Sequence, residues 1–286
     1  MKAVIPAAGM GTRFLPYTRS QPKEMLPIVD KPAIQYVVEE AVSSGLRELL
    51  IVTARGKRAI EDHFDRNIEL ERAVTDRALL SQVESLDRIL AEASIFYVRQ
   101  KEHRGLGHAV LVSERYVGEE TFSVLLGDDL TFDTVPCQES LIRVQQRTGN
   151  SVLAVQEVSK DAIGRYGMVV ADEERDGVFR VKKLIEKPKV HEASSNLATI
   201  GRYVLTPSIF KELRATTCDA RGEIQLTDAI AGLLGKEDVY AMLFRGQRYD
   251  VGDKVGWLRA NIELALKRPD MWEDVQALLR ALNVVT

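Results

Sequence analysis

Short apolar runs alternate along this chain with stretches whose apolar residues recur every three or four positions, and the two periodicities predict different elements. Ala3-Val4-Ile5 opens the chain as a buried strand, and Leu49-Leu50-Ile51-Val52, Ile95-Phe96-Tyr97-Val98 and Phe122-Ser123-Val124-Leu125-Leu126 repeat the signal. Between the first two runs, Ile34, Val37, Val38, Ala41 and Val42 share one helical face, with Pro32 at the first helical position and Gly45 at the end. Further helices are predicted around 59–64, over 68–93 and over 138–147. Strand alternating with helix points to a doubly wound sheet, whose right-handed crossovers put a ligand at the carboxyl ends of the strands.

From residue 151 the texture changes to short strands with Gly and charged turns, at 151–155, 166–170, 178–181 and 184–188. These predict antiparallel pairs added to the parallel sheet. A strand over 196–205, helices at 208–214 and 223–234, a strand at 239–244 and a turn at 249–253 that opens a terminal helix complete the pattern. Last comes Trp272, Val275, Leu278, Leu279 and Leu282 at helical spacing, a stripe expected to pack on the body of the protein in preference to another subunit. No internal repeat, low-complexity segment or linker interrupts the chain.

Composition narrows the partners. With 286 residues, 45% of them hydrophobic, the chain can bury a sizeable core as one large α/β domain or two smaller ones. A formal net charge of -3 gives no general attraction to nucleic acid or to an anionic membrane, so an anionic ligand must be held by local groups. Cys137 and Cys218 are far apart and lack histidines at ligand spacing, which argues against a disulfide framework or a zinc site and fits a reducing cytoplasm. No stretch approaches eighteen apolar residues, so neither export nor a membrane span is expected.

The candidate chemistry begins at the first turn, Ala7-Ala8-Gly9-Met10-Gly11-Thr12-Arg13, followed by Pro22-Lys23-Glu24-Met25-Leu26-Pro27. Two glycines one residue apart let bare backbone N–H groups approach a phosphate. A P-loop would end in Gly-Lys-Ser/Thr, which is absent; a dinucleotide fingerprint would need a third Gly where Phe14 stands and a helix that Pro16 and Pro22 discourage, although Asp30 stands where its ribose acid belongs. What remains is a loop whose amides, with Arg13 and Lys23, hold a triphosphate, set against an ordinary Gly turn with solvated basic residues.

Three later elements add to it. Gln100, at a strand end before the Gly105-Leu106-Gly107-His108 turn, can offer a side-chain amide to the imide edge of uracil or thymine, or simply be solvated. His103 and His108 read as loop and helix residues, not metal ligands. Gly127-Asp128-Asp129 ends a strand on two carboxylates, a Mg²⁺ ligand or an acidic turn, and Asp250 is the candidate for a second carboxylate. Glu186-Lys187-Pro188 supplies an acceptor for sugar hydroxyls and a point charge for a phosphate, or a solvated strand end.

These segments, with Gly201-Arg202-Tyr203, Gly222-Glu223-Ile224-Gln225-Leu226-Thr227-Asp228 and Tyr249-Asp250-Val251-Gly252-Asp253, together resemble the prokaryotic UTP–glucose-1-phosphate uridylyltransferases over almost the whole length. The Gly-Arg-Lys pattern is common to sugar-phosphate nucleotidyltransferases, whereas the Gly-Leu-Gly-His turn and the Glu-Ile-Gln-Leu-Thr-Asp segment are specific to the uridylyl branch. Departures are Met10 for the usual Leu and residues 17–21 in place of a Lys-containing segment, which bears on how a lid over the triphosphate closes.

The resemblance implies a Rossmann-like nucleotide-diphospho-sugar transferase fold: an α/β, mixed and mainly parallel sheet flanked by helices, with a small antiparallel sugar-binding portion. It implies one domain over 1–286, with 1–150 mainly nucleotide-binding, 151–253 mainly sugar-phosphate-binding and 254–286 forming C-terminal helices. The nucleotide would meet Ala7, Ala8, Gly9, Gly11, Thr12, Arg13, Lys23, Gln100, Gly105 and Asp128. Gly167, Glu186, Lys187 and Gly201 would take the sugar phosphate, Asp128 and Asp250 the Mg²⁺ cofactor, and Arg13, Lys23 and Lys187 would be the catalytic cations. The expected reaction turns UTP and glucose 1-phosphate into UDP-glucose and pyrophosphate in a cytoplasmic homodimer or homotetramer. A thymidylyltransferase and a catalytically silent nucleotide-sugar-binding relative are the competing readings.

Overall fold

The computed structural model describes residues 1–282. Its strands, in chain order, are β1 (Lys2–Pro6), β2 (Pro27–Ile28), β3 (Lys31–Pro32), β4 (Glu48–Thr53), β5 (Ser94–Arg99), β6 (Phe122–Leu125) and β7 (Asp129–Phe132). The second half adds β8 (Ser151–Glu157), β9 (Gly167–Arg175), β10 (Val178–Glu186), β11 (Leu197–Leu205), β12 (Val239–Leu243) and β13 (Gln247–Asp250). Nine of them form one sheet in the order β5-β4-β1-β6-β11-β8-β12-β10-β9, and β13 pairs with β7 in a separate two-stranded ribbon.

Strands β5, β4, β1 and β6 run parallel. Of these, β4, β1 and β6 are apolar without alternation because both of their faces are covered, whereas the edge strand β5 leaves Phe96 exposed. Val4, Leu50, Val52 and Val124 pack with the helices Gly105–Val112, Ser208–Ala215 and Leu226–Leu233, while Ala3, Ile5, Leu49 and Ile51 pack with the helix Ala33–Ser43. That helix buries Ile34, Val37, Val38 and Ala41 completely. Each of its branched aliphatics is worth about 1.5–3 kcal/mol over exposure.

The second half brings the antiparallel pairs expected there, in such number that the sheet as a whole is not mainly parallel. Among the described residues the large sheet has four parallel and five antiparallel pairings. The cause is β11, which runs back against β6 and is wholly buried; its far end pairs with β8 on one side and β9 on the other. Its register against β8 slips between Thr199 and Tyr203, while on the other side Arg202 stays paired with Leu125 of β6 and the Gly201 carbonyl accepts the Leu126 N–H at 2.9 Å.

Other boundaries also shift. The expected helix over 68–93 is two helices, Ile68–Ala73 and Arg77–Glu92. Pro32 flanks its helix in an extended conformation, which starts at Ala33, and the helix expected from Glu223 starts at Leu226. Tyr249 and Asp250 belong to β13, not to a turn. The closing helix Trp272–Ala281 buries none of its residues, with Trp272, Leu278 and Leu282 exposed, so its apolar stripe is not core packing. A stripe at 3.6-residue spacing specifies a face, not what covers it. Among the described residues no helix is long and apolar enough to cross a membrane.

Candidate functional site

The parallel strands end on one edge, and there the chain leaves a cleft of about 380 Å³. Ala8, Gly9 and Arg13 follow β1, Gln100 and Gly105 follow β5, and Asp128 follows β6, so three separate strand ends contribute to one wall. The opposite wall is Gly167, Glu186, Lys187 and Gly201 from β9, β10 and β11, with Asp250 at the end of β13. The cleft therefore brings together twelve of the fifteen residues singled out in the sequence. Ala7 is buried in the core, Thr12 is exposed and Gly11 is half-buried, and none of the three lines it. Gly11 does have the left-handed φ of 67° that suits glycine, and its Cβ would meet Thr18 Cγ2 at 2.9 Å.

The short turns that carry the phosphate loop follow from the prolines. Thr12–Phe14, Tyr17–Arg19 and Lys23–Met25 are single 3₁₀ turns, and Pro16 and Pro22 precede the second and third. No helix runs on from the glycines, as a dinucleotide site would require. Lys23 instead points across to Asp128, with which it forms an ion pair. Behind it lies a second, buried pair, Lys57 Nζ to Glu24 Oε2 at 2.7 Å.

Charge is concentrated here. Burial opposes ionisation of Asp128, but the Lys23 ammonium outweighs it and holds the carboxyl below its ordinary value. Asp250 moves the other way: burial, then the negative charges of Asp129 and Asp128, push its carboxyl up. It accepts hydrogen bonds from Tyr166 Oη at 3.1 Å and from the Gly252 N–H at 3.0 Å. A β-carbon on Gly252 would lie 2.8 Å from Asp128 Oδ2 and 3.0 Å from Asp250 Oδ1, so the two carboxylates converge on one point. Among the described residues no group of three or more His, Cys, Asp or Glu could hold a metal. Two hard carboxylates alone suit a Mg²⁺ ion whose other positions are filled by phosphate and water.

The burial of Asp250 among like charges has a measurable result. Without divalent cation, Asp250→Asn is expected to raise the melting temperature at pH 7 by about 2 °C or more. A carboxyl whose folded value is raised costs stability as pH rises above its ordinary value, and costs it fully above the raised one, so the advantage of the variant should disappear as pH falls below the ordinary carboxylate range. Thermal melts from pH 3 to 8 in chelator check this, and a variant less stable than the parent at pH 7 would contradict it.

Gln100 is buried, with its side-chain nitrogen 3.1 Å from the Gly105 carbonyl and 2.8 Å from His108 Nδ1. Its donors are thus spent on shaping the turn, which leaves its amide oxygen as the group to offer a ligand. Gly105 has φ 84°, and a Cβ there would lie 2.8 Å from Glu223 Cβ, so the turn is pressed against the 223–225 segment. Lys187 has a left-handed φ of 41°, a strained value for a non-glycine residue, and its ammonium lies 2.7 Å from Glu186 Oε1.

Several cleft residues escaped sequence reasoning: Arg165, Tyr166, Thr199, Gln225, Thr227 and Arg248. Two carried a faint signal. Tyr166 adjoins Gly167, and Arg248 precedes Asp250 by two residues on one strand, hence on the same face. Arg202, unremarked except within a motif, is fully buried behind Gly201, where it bonds Glu40 and the Gly201 and Asp129 carbonyls.

The profile of the nucleotidyl transferase family matches residues 2–277. The chain is 48% identical over 283 residues to a UTP–glucose-1-phosphate uridylyltransferase of Staphylococcus epidermidis, covering 99% of this chain and 98% of that one. A crystal structure of apo UDP-glucose pyrophosphorylase superposes with a TM-score of 0.90 at 42% identity, covering 93% of this chain and 98% of the other. A UDP-glucose pyrophosphorylase complexed with UDP-glucose superposes with a TM-score of 0.87 at 40% identity, covering 93% and 99%. Matched along nearly its whole length in both sequence and fold, this chain belongs to the nucleotidyl transferase family, in the branch of the UTP–glucose-1-phosphate uridylyltransferases.

Proposed function

We propose that the cleft transfers a uridylyl group from UTP to glucose 1-phosphate, giving UDP-glucose and pyrophosphate. The observation that carries this reading is the meeting, in one cleft, of three cations, Arg13, Lys23 and Lys187, with the converging carboxylates Asp128 and Asp250. Residues 1–150 would hold chiefly the nucleotide and residues 151–253 chiefly the sugar phosphate. Relatives named for UTP and glucose 1-phosphate, and one solved with UDP-glucose, support that choice of substrates.

A phosphate oxygen of glucose 1-phosphate attacks the α-phosphorus of UTP; the bond to the β-phosphate breaks, and its electron pair leaves with pyrophosphate. No general base is needed, because a phosphomonoester with a second pKa of about 6 is already largely dianionic at pH 7. The barrier is the approach of two polyanions, so catalysis rests on position and charge. The Lys23 ammonium, held by Asp128, turns to the nucleotide phosphates with Arg13. Lys187, held by Glu186, steers the nucleophile. Backbone N–H groups of the Ala8–Gly9 turn complete the phosphate seat, and Gln100 presents its amide oxygen to the N–H of the base. Gly167, Glu186 and Gly201 line the place of the glucose. Asp128 and Asp250 would hold Mg²⁺, which neutralises phosphate charge.

Pyrophosphate release with Mg²⁺, glucose 1-phosphate and UTP or dTTP at matched concentration tests the proposal. Fast release with UTP and slower release with dTTP is expected. A pocket distinguishes one methyl group by about 1–3 kcal/mol, so some dTTP use is compatible with it. Preference for dTTP would make the chain a thymidylyltransferase. The absence of release with either nucleotide would favour a silent, binding-only relative, which the presence of all five charged residues disfavours.

A further inference from the structure

Arg248 stands between the two halves of the cleft, yet no step of the proposed reaction uses it. Its side chain is 9% exposed and its guanidinium grips Asp129 with two bonds, Nε to Oδ1 at 2.7 Å and an Nη to Oδ2 at 2.8 Å. Such a planar two-point clasp fixes both partners in orientation. Asp129 Oδ2 also accepts the Gly201 N–H at 2.8 Å. On its other side the guanidinium lies over the Tyr166 ring, 4.8 Å from the centroid, and Tyr166 Oη donates to Asp250 Oδ2. One cation thus touches the holders of two different things: the Gly201 backbone through Asp129, and the Asp250 carboxylate through Tyr166.

The topology shows why the link is needed. Gly201 sits where β11 slips register against β8: its carbonyl still accepts the Leu126 N–H at 2.9 Å, but its own N–H turns out of the ladder to Asp129, and a β-carbon there would come within 2.8 Å of both Asp129 and Leu126 Cβ. Asp250 ends β13, which pairs only with the four-residue β7 and stands outside the main sheet. Asp250 thus lies outside the nine-stranded sheet, and the Gly201 N–H is held by the Asp129 carboxylate.

We propose that Arg248 is the positioning residue that locks the Gly201 seat and the Asp250 carboxylate to each other, through Asp129 on one side and the Tyr166 ring on the other. This rests on the uridylyltransferase reading for what occupies the seat. It predicts a split in which the glucose 1-phosphate and metal terms move and the UTP term does not, because the nucleotide wall of Gly9, Arg13 and Gln100 shares no bond with Arg248.

The test uses the full-length protein with Arg248→Lys and Tyr166→Phe. Lysine keeps the charge but cannot make the two-point clasp or stack as a plane. Arg248→Lys is expected to raise the KM for glucose 1-phosphate about tenfold and to weaken Mn²⁺ binding, read by titration without substrates, several-fold, with the KM for UTP within twofold. Tyr166→Phe keeps the ring and removes one hydroxyl. It should weaken Mn²⁺ binding while leaving the KM for glucose 1-phosphate within twofold. Should Arg248→Lys not fold, Asp129→Asn with Arg248→Met removes both buried charges together and should reproduce its KM split. Equal rises in both substrate KM values, or Mn²⁺ binding unchanged in both single variants, would overturn the proposal. An inactive parent protein would instead refute the substrate reading, and the Mn²⁺ titrations would still decide the coupling between Arg248, Tyr166 and Asp250.

Discussion

Replacing Asp128 with asparagine is expected to leave a folded protein whose turnover with Mg²⁺ falls on the order of a hundredfold or more, the cost typical of removing one electrostatic stabiliser. Asparagine keeps the shape and still offers Lys23 an oxygen, so the local packing survives. What it removes is one of the two negative charges that converge beside Gly252. It also takes away the partner that does most to favour the charged form of the half-buried Lys23: burial works against that ammonium, and Asp128 and then Glu24 raise its pKa above the ordinary value. The variant therefore weakens both the cation seat and the orientation of Lys23. Steady-state pyrophosphate release across a Mg²⁺ titration, with circular dichroism to verify folding, measures it. Turnover close to the parent's would remove Asp128 from the metal site.

The largest stability effect is expected behind the site, at Arg202. This side chain is wholly inaccessible and gives two bonds to Glu40 Oε2, at 3.0 and 2.6 Å, and one each to the Gly201 and Asp129 carbonyls, at 2.9 and 2.8 Å. Glu40, on the helix under the first crossover, is itself buried and also accepts from Thr131 Oγ1 at 2.7 Å and the Gln138 N–H at 3.1 Å. Arg202→Met leaves that carboxylate without its cation and takes one donor each from the Gly201 and Asp129 carbonyls. Breaking a buried pair from one side costs about 3–5 kcal/mol, a fall of about 6 °C or more in melting temperature for a protein of this size. Pairing it with Glu40→Leu removes the stranded charge and should regain at least half of the loss. Differential scanning calorimetry of the single and double variants settles the point; a single variant within 1 °C of the parent would mean that the network contributes little.

Much of the cleft was legible in the chain because its chemistry is carried by short contiguous segments. Gly9 to Arg13, Gly105 to His108 and Gly127 to Asp129 each follow an apolar run, and a parallel sheet delivers the ends of such runs to one edge whatever the helices between them do. Lys187 and Glu186 were legible for the same reason, as neighbours at the end of β10. Asp129 shows the limit. Its position beside Asp128 is plain in the sequence, but Asp128 lies in the turn after β6 and Asp129 opens β7, so Asp128 meets Lys23 in the cleft while Asp129 turns to Arg248 and Gly201.

Local pattern determined the elements of this protein, the parallel half of its sheet and the edge on which the charged segments gather, because hydrophobic periodicity and glycine turns act over a few residues. Tertiary structure alone decided the rest. These are the antiparallel return of β11 beside β6, its register slip against β8 at Gly201, and the meetings of Arg202 with Glu40 and of Arg248 with Asp129, which join residues separated by 162 and 119 positions. No local pattern encodes such a meeting, since buried charges find partners only after the strands that carry them have paired and excluded water.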